Sequence, residues 1–279
     1  MRKRIKQILA GALCFGLAIS DKSALSLGEI NMDKVTVQAA ENVSDITIDG
    51  NNINKENKNG LTYKGFGLLT ANSTSDLLMD YKAEHPEKYV EMLQYLFGGS
   101  KPLMTHVKIE MGNDRNNSTG AESCTMRTED ETANVKRNAG FQLAADAKKI
   151  NPNIKISILR WNTPKWANTT EKQYKWYKNT IMAAYETYGY MVDYINPNRN
   201  EAWSDKTDTE NVKKFAKWIQ KENSDTIKDA KALDLYKKIK FIVSDEAEMI
   251  AKTAVNALYT DEEYKNAVAA IGWHYPYSV

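Results

Sequence analysis

The chain has 279 residues, of which 42% are hydrophobic and 27% charged, and its formal net charge at pH 7 is +2. This composition excludes a disordered chain, and the length allows one or two domains with a sizeable core. The near balance of charge leaves no basic excess of the kind that binds nucleic acid, so no nucleic-acid partner is expected.

The N-terminus has the pattern of a secretion signal. The basic segment MRKRIKQ precedes an apolar run over 8–19, which is too short to span a bilayer. We expect residues 1–40 to be a signal peptide or leader, and the mature protein to be secreted without a stable membrane span; an uncleaved anchor is the alternative. The leader carries six basic and three acidic residues, which leaves 32 basic and 33 acidic residues after it. Only Cys124 remains, which excludes a disulfide framework and a thiolate metal cluster.

Residues 41–60 are rich in Asn and Lys and contain one short alternating run, VSDITID. This pattern predicts an extended lead-in with a turn. The density of Asn and Asp also suggests a calcium loop, but Ile53 falls on a ligand position of that pattern. A solvated turn is therefore the preferred interpretation.

From residue 61, strand-like apolar runs alternate with helical patterns. One helix is predicted to begin at His85-Pro86 and to stop at Gly98, another covers 136–149, and a third has a stripe that starts at Tyr174. Thr207-x-x-Glu210 and Thr260-x-x-Glu263 match the capping box of a helix N-terminus. The predicted strands are 63–69, 104–112, 154–161, 191–196, 239–245 and 269–275.

Strands of this kind, alternating with helices and continuously apolar, indicate a parallel sheet. The segment GFGLLTANS at the first strand has neither the spacing of a dinucleotide-binding glycine fingerprint nor that of a phosphate loop. We therefore predict an α/β fold of the (β/α)8 TIM-barrel type, in which residues 61–279 form an incomplete catalytic barrel of about six βα units.

Polar residues gather after each predicted strand. In a barrel the C-terminal ends of the strands converge on one rim, so we expect these residues to form one site. They are TANSTSD (70–76), Glu110 with GNDRNNSTGAESC, Arg160-Trp161-Asn162-Thr163-Pro164, Asn200-Glu201, Ser244-Asp245-Glu246 and His274-Tyr275-Pro276.

Glu201 is the candidate for a catalytic acid. Glycoside hydrolysis requires one carboxylic acid to protonate the leaving oxygen and a second carboxylate as nucleophile or base. Asn200 can donate to a sugar hydroxyl, and Trp161 offers an apolar face to the C–H side of a pyranose. An Asn-Glu pair by itself is usually a surface turn, but its position at a strand end favours the catalytic interpretation.

Other polar residues have simpler interpretations. Glu110 could be catalytic, although a salt bridge at the barrel floor or rim is the simpler role. Asp245 or Glu246 could supply the second carboxylate, but acids are favoured at helix N-termini in any case. His274 could be a base or could orient a neighbouring carboxylate. The histidines are too scattered to predict a metal site.

The chain also resembles a known family. The segments LLMDY…MLQYLF, HVKIEMGND…STGAES, DAKKINPNIKISILRWNTPKW, VDYINPNRNE, IKFIVSDE and AIGWHYP follow one another as in glycoside hydrolase family 59, the galactocerebrosidase (galactosylceramidase) family. The resemblance covers about residues 61–279, and distant relatives in the glucosylceramidase and xylanase family share parts of it.

The resemblance implies a (β/α)8 barrel that cleaves β-galactosides with retention of configuration. It implies that Glu201 is the proton donor and acceptor, that Trp161 stacks on the sugar and that Ser118 contacts galactose. No cofactor and no metal are expected, and the partner is a glycan or glycolipid substrate. The residues expected to bind the substrate are Asn200, Trp161, Ser118, His274 and Tyr275.

Two departures from the family lie near the expected site. Arg199 stands where the family has a tryptophan before Asn-Glu, and the loop LTANSTSD lacks the glycines that the family has after its first strand. Both changes concern the choice of substrate rather than the chemistry.

The family's nucleophile is a glutamate at the end of the seventh strand, and this sequence stops just past the sixth. We therefore expect a fragment of a secreted retaining glycoside hydrolase for β-galactosides, such as galactosylceramide-like glycolipids, that is inactive alone. The alternatives are a non-catalytic carbohydrate-binding protein on a degenerate barrel, a glycosidase of the glucosylceramidase and xylanase family, and inverting chemistry with Asp245 or Glu246 as base.

Overall fold

The structure is a computed structural model that describes residues 34–37, 46–49, 63–117, 120–201, 206–246 and 248–274. The first compact unit spans Met1–Tyr63 and contains an antiparallel pair, β1 (Lys34–Val37) and β2 (Ile46–Asp49). The strand β1 lies within the predicted leader and β2 within the predicted lead-in. The basic and apolar segments of the leader lie outside the described residues, so the signal peptide stays a prediction.

The second compact unit, Lys64–Val279, is built on a six-stranded parallel sheet. The spatial order of the strands follows the chain, so each strand pairs with the next. All six predicted strands are present, with shifted boundaries. They are β3 (Phe66–Thr70), β4 (Met104–Glu110), β5 (Lys155–Arg160), β6 (Tyr194–Arg199), β7 (Lys240–Glu246) and β8 (Val268–Trp273).

Helices connect these strands, and the helix predicted between Pro86 and Gly98 has the expected bounds. None of the helices in the described part of the chain is long and apolar enough to cross a membrane. The helices are α1 (Thr74–Glu84), α2 (Pro86–Phe97), α3 (Ala139–Ile150), α4 (Thr170–Tyr188), α5 (Lys206–Lys221), α6 (Ala230–Tyr236), α7 (Glu248–Thr260) and α8 (Glu262–Ala267).

Both capping-box predictions are wrong in register. Thr207 lies inside α5, which begins one residue earlier. Thr260 is the last residue of α7, and the residue that caps α8 is Asp261, whose carboxylate accepts a hydrogen bond from the Tyr264 N–H at 2.9 Å. At α8 the carboxylate of Asp261, one position after Thr260, accepts from one of the N–H groups that are unpaired at the start of the helix.

The sheet is curled into a half-barrel. The strands β4 and β7 are separated by two others, so in a flat sheet they would lie about 14 Å apart. In this protein Lys108 of β4 nevertheless reaches Asp245 of β7, with 2.7 Å between Nζ and Oδ1. The sheet therefore bends far enough for side chains of distant strands to meet on its inner face.

Alternate residues of the central strands have different surroundings. In β4, Val107 and Ile109 are fully buried and belong to the hydrophobic core between sheet and helices. His106, Lys108 and Glu110 alternate with them and make polar contacts with other strands or with rim loops. The inner face of the half-barrel is therefore polar, and the outer face anchors the helices.

A bulge in β6 determines how the strand ends. Ile158 of β5 pairs with Ile195, but Arg160 pairs with Arg199, so β6 contains two extra residues over this stretch. Pro197 lies within it and has no N–H to donate to the ladder. A bulge bends the strand and redirects the side chains that follow, which here are Asn200 and Glu201.

Candidate active site

The ends of four neighbouring strands bring the predicted site residues together. Trp161 follows β5, Glu201 follows β6, Asp245 lies near the end of β7 and His274 follows β8. Because the strands are parallel, these positions lie on the same rim of the half-barrel. The described contacts link all four residues, as detailed below.

The carboxyl group of Glu201 is held from two sides. Trp161 donates its indole N–H to Oε2 over 3.3 Å, and Nδ1 of His274 lies 3.0 Å from Oε1. One third of the Glu201 side chain is exposed, so the group is oriented by protein and still open to a substrate. This combination suits a residue that exchanges protons with a ligand.

Asn200, the residue before Glu201, forms hydrogen bonds with the ends of β5 and β7. It is fully buried, and its backbone N–H donates to the Arg160 carbonyl at 2.8 Å. With its amide oriented to satisfy its neighbours, Nδ2 donates to the Asp245 carbonyl at 3.1 Å, and Oδ1 lies 3.1 Å from the Trp161 indole nitrogen, whose one N–H it shares with Glu201 Oε2. These contacts give Asn200 a structural role at the rim, and its contact with substrate stays a prediction.

Asp245 lies beneath the rim, only 2% exposed, at the centre of a polar cluster. Its Oδ1 is 2.7 Å from Nζ of Lys108 and 3.7 Å from Nε2 of His274. Its Oδ2 accepts from Nδ2 of Asn196 at 3.1 Å. A buried carboxylate with a lysine and an amide as partners is compensated for its loss of water, which explains how it is tolerated there.

Three residues of the site have left-handed backbone conformations, at Glu201 (φ 58°), Ser244 (φ 71°) and Asp245 (φ 56°). Such conformations cost roughly 1–3 kcal/mol each for residues other than glycine, and they concentrate at functional sites. Here the Asp245 carbonyl accepts from the Glu201 N–H at 3.3 Å. The two strained turns therefore support each other.

A second pair of carboxyl groups, Glu110 and Glu122, lies under the loop that follows β3. Their Oε2 atoms accept from the backbone N–H groups of Asn72 and Ser73, each at 2.9 Å, and Asn117 donates to Glu110 Oε1 at 3.0 Å. Burial raises the pKa of Glu110, and burial together with the Glu110 charge raises the pKa of Glu122 to about 7. The expected salt bridge of Glu110 is not formed among the described residues, because amide groups occupy its oxygens.

Two predicted substrate contacts, Ser118 and Tyr275, lie outside the described residues. Arg199, which stands in place of the family's tryptophan, is exposed next to the Asn200-Glu201 pair. The structure therefore brings Trp161, Asn200, Glu201 and His274 together, and it gives no position for the other two predicted contacts.

Sequence reasoning missed the polar partners below the rim, Lys108 and Asn196, and it offered Asp245 as a second carboxylate or a helix N-terminal acid, whereas Asp245 lies within β7 and pairs with Lys108. A signal for Lys108 exists in β4, where His106, Lys108 and Glu110 alternate with buried apolar residues. Polar residues at every second position of a central strand indicate a polar inner face. Their partner on β7, three strands away, is determined by the curl of the sheet.

The fold is that of barrel-type glycosidases. An endo-β1,6-glucanase, BT3312, superposes with a TM-score of 0.54 at 17% sequence identity, covering 75% of this chain and 51% of the glucanase. SrfJ from Salmonella typhimurium superposes with a TM-score of 0.51 at 16% identity, covering 74% of this chain and 49% of SrfJ. At such low identity these likenesses concern the architecture alone.

Sequence comparison identifies the family. Residues 63–279 match the model of glycosyl hydrolase family 59, and the chain belongs to this family. Similar curated proteins include the galactocerebrosidases of Danio rerio, 29% identical over 228 residues, and Homo sapiens, 29% identical over 226 residues, each match covering 78% of this chain. The matched regions span only 31% and 30% of those two proteins.

Proposed function

We propose that this chain is part of a retaining glycoside hydrolase that cleaves β-galactosides, with galactosylceramide-like glycolipids as the substrate class. Membership of family 59 and the likeness to galactocerebrosidases support the reaction class and the sugar. The observation that carries the proposal is the Glu201 carboxyl group, held by Trp161 and His274 at a strand end and one third exposed.

In this proposal Glu201 acts in both halves of the reaction. In the first half it gives its proton to the glycosidic oxygen while the bond from that oxygen to the sugar C1 breaks and a carboxylate nucleophile bonds to C1. In the second half it takes a proton from water as the water oxygen attacks C1 and the nucleophile leaves. The proton inventory is restored after each turnover.

We propose that a segment outside this sequence supplies the nucleophile. In retaining enzymes the two carboxyl groups lie about 5–5.5 Å apart. The strands at the two edges of the sheet carry exposed apolar side chains: Phe66 is 58% and Leu69 44% exposed in β3, and Trp273 is 51% exposed in β8. Further βα units would cover such edges, which supports a chain that is a fragment of a longer barrel.

Inverting chemistry with Asp245 as base fits these contacts less well. A base for inverting chemistry must reach a water molecule beside the sugar. Asp245 is 2% exposed and paired with Lys108, so it is poorly suited to that task. A non-catalytic carbohydrate-binding protein would use the same rim, and the coding sequence downstream of codon 279 separates the two hypotheses. A reading frame that continues into a strand ending in glutamate supports the enzyme, and a stop codon supports the binding protein.

We also propose that the protein is secreted. The basic and apolar segments at the N-terminus support this assignment. Mass spectrometry of protein recovered from the culture medium should find a new N-terminus by about residue 40. Recovery of the intact N-terminus from the membrane fraction would contradict it.

The function is tested with the chain extended by its downstream coding sequence. We expect hydrolysis of an aryl β-galactoside and of galactosylceramide in detergent micelles, with β-galactose as the first anomer seen by NMR. Glu201→Gln should lower the rate on galactosylceramide by two to four orders of magnitude. The matched control is Glu186→Gln on the exposed side of α4. Release of α-galactose first, or full activity of Glu201→Gln, would overturn the proposal.

A further inference from the structure

The imidazole of His274 lies between two carboxyl groups. Its Nδ1 is 3.0 Å from Oε1 of Glu201, and its Nε2 is 3.7 Å from Oδ1 of Asp245. Only about a quarter of the His274 side chain is exposed, and Asp245 is almost fully buried. A charge on the buried carboxylate therefore acts on the ring at short range in a medium that screens it weakly.

Asp245 is in turn fixed by partners from other strands. Lys108 of β4 shares Oδ1 with His274, and Asn196 of β6 donates to Oδ2. Gly272 of β8 leaves room for this arrangement, since a Cβ atom there would lie 2.1 Å from Oδ1. The carboxylate therefore has one well-defined position below the histidine ring.

The backbone of Asp245 contacts the same glutamate. Its carbonyl accepts from the Glu201 N–H and, in the satisfied orientation, from Nδ2 of Asn200. Asp245 adopts a left-handed conformation directly after another at Ser244. Two consecutive left-handed residues other than glycine cost free energy. The backbone hydrogen bonds of the sheet do not require this conformation, so we attribute it to the contacts that Asp245 makes with other strands.

We propose that Asp245 is a positioning residue for Glu201 and that it acts through the imidazole of His274. The positioning of Glu201 by Asp245 does not depend on the proposed function, but its importance for catalysis does. Asp245 holds the ring from below through its charge, and the ring in turn orients the Glu201 carboxyl and stabilises its charged form from Nδ1, 3.0 Å from Oε1. Lys108 weakens this effect because it competes for the same oxygen of Asp245.

The charged groups around Glu201 and His274 determine in which direction the titration midpoint of Glu201 moves when Asp245 loses its charge. Among the described contacts, Glu201 lies against the indole of Trp161 and the ring of His274, and the ring lies between the carboxyl groups of Glu201 and Asp245. Removing the Asp245 charge has two opposite effects on Glu201. The direct loss of a negative charge would ease ionisation of Glu201, whereas a ring that is no longer held beside Oε1 would hinder it, because the carboxylate loses a hydrogen-bond partner. The ring is the nearer group, so we expect the second effect to dominate.

The test uses the 279-residue chain labelled with ¹³C at glutamate carboxyl carbons, with the Glu201 signal assigned by its loss in Glu201→Gln. In Asp245→Asn the titration midpoint of Glu201 should rise by about 0.5 pH units or more. In a His274→Gln background the same substitution should produce no rise. The matched control is Asp193→Asn, which removes another carboxylate paired with lysine, 2.7 Å from Lys155. It should leave the Glu201 midpoint unchanged.

A second variant keeps the test valid if Asp245→Asn fails to fold. Lys108→Gln frees Oδ1 of Asp245 for the ring, and its effect is compared in the parent and in the His274→Gln background. The direct loss of the lysine charge raises the Glu201 midpoint in both backgrounds, and the freed Oδ1 should make this rise smaller where the ring is present. An unchanged midpoint in both variants, or the same rise in the His274→Gln background, would overturn the relay through His274.

The result is independent of catalysis by Glu201. If the midpoint moves as expected but Glu201→Gln keeps full activity in the extended chain, the positioning role stands and the proposed function falls. If Glu201→Gln is inactive but Asp245→Asn does not move the midpoint, the proposed function stands and the positioning role falls.

Discussion

Asn200 and Glu201 illustrate how buried hydrogen bonds can hold an exposed catalytic candidate. Glu201 has a left-handed backbone, which is costly for a residue other than glycine, and a partly exposed carboxyl group. The fully buried Asn200 next to it joins the Trp161 indole to the Asp245 carbonyl. The orientation of Glu201 therefore depends on a residue that need not touch substrate.

Replacement of Asn200 by alanine should destabilise the chain by about 1–3 kcal/mol, because its buried partners lose hydrogen bonds and a small cavity remains. Urea unfolding of the 279-residue chain measures this, with a lower midpoint and an unchanged slope. Asn153→Ala, at an exposed position, is the matched control and should stay within about 0.5 kcal/mol of the parent chain. Equal midpoints for the two variants would contradict a structural role for Asn200.

Gly272 is a second residue whose substitution should affect the site at a distance. Gly272→Ala places a methyl group against Asp245 Oδ1, so that carboxylate must leave Lys108 or His274. We expect a cost of about 1–3 kcal/mol and a shifted Glu201 carboxyl signal in NMR. Gly99→Ala is the control, because it has a positive φ of 78° but open space around it. It should cost about 1 kcal/mol and leave the Glu201 signal in place.

Loops at the ends of the strands join neighbouring βα units in pairs. The loop after β3 donates backbone N–H groups from Asn72 and Ser73 to Glu110 and Glu122, which belong to β4 and the loop that follows it. Two consecutive left-handed residues, Asn72 and Ser73, point these groups downward. The rim on this side is thus attached to two buried carboxyl groups whose pKa values are raised.

The burial of Glu122 beside Glu110 predicts a pH dependence of stability. The pKa of Glu122 rises from 4.5 to about 7 on folding, so between these values the folded chain binds more protons than the unfolded chain. Its stabilising contribution is complete below about pH 4.5 and is lost as the pH rises through about 7. Glu122→Gln imitates the protonated form and should remove this loss.

The measurement is urea unfolding of the parent chain and Glu122→Gln at pH 5 and pH 7.5. The variant should gain stability relative to the parent at the higher pH, by an amount on the order of 1–3 kcal/mol. The difference isolates Glu122 from His106, whose buried ring has a lowered pKa and opposes the trend. A parent chain that gains on the variant as pH rises would contradict the raised pKa.

The order of elements was predictable from the sequence, whereas their exact ends were not. Apolar runs and helix signals such as Pro86 and Gly98 act locally, so the six strands of the barrel unit and the bounds of α2 follow from them. The bulge around Pro197 and the left-handed pair Ser244-Asp245 depend on contacts between strands. The same holds for the Lys108–Asp245 pair, which requires a curled sheet.

The described barrel unit has two unlike kinds of strand. The central strands are covered on both sides, whereas β3 and β8 at the edges expose large apolar residues such as Phe66 and Trp273. Unpaired edges with exposed apolar side chains favour association between chains. The same edges are where additional βα units would attach in a closed barrel.

We therefore expect the 279-residue chain to self-associate as its concentration rises, and the chain extended downstream to remain monomeric. Size-exclusion chromatography with light scattering measures both. Replacing Phe66 and Trp273 by lysine in the shorter chain should reduce its association, and lysine at the exposed Tyr259 of α7 is the control. If the 279-residue chain is monomeric at all concentrations, the claim that its unpaired edge strands drive association is contradicted.

The role of Glu201 is tested most directly by the dependence of rate on the leaving group. In the extended chain, Glu201→Gln should lose two to four orders of magnitude on an alkyl β-galactoside, whose leaving oxygen needs a proton. On a dinitrophenyl β-galactoside, whose leaving group departs without one, formation of the glycosyl-enzyme should be nearly as fast as in the parent. Equal losses on both substrates, or no loss on either, would contradict the assignment of Glu201 as the acid.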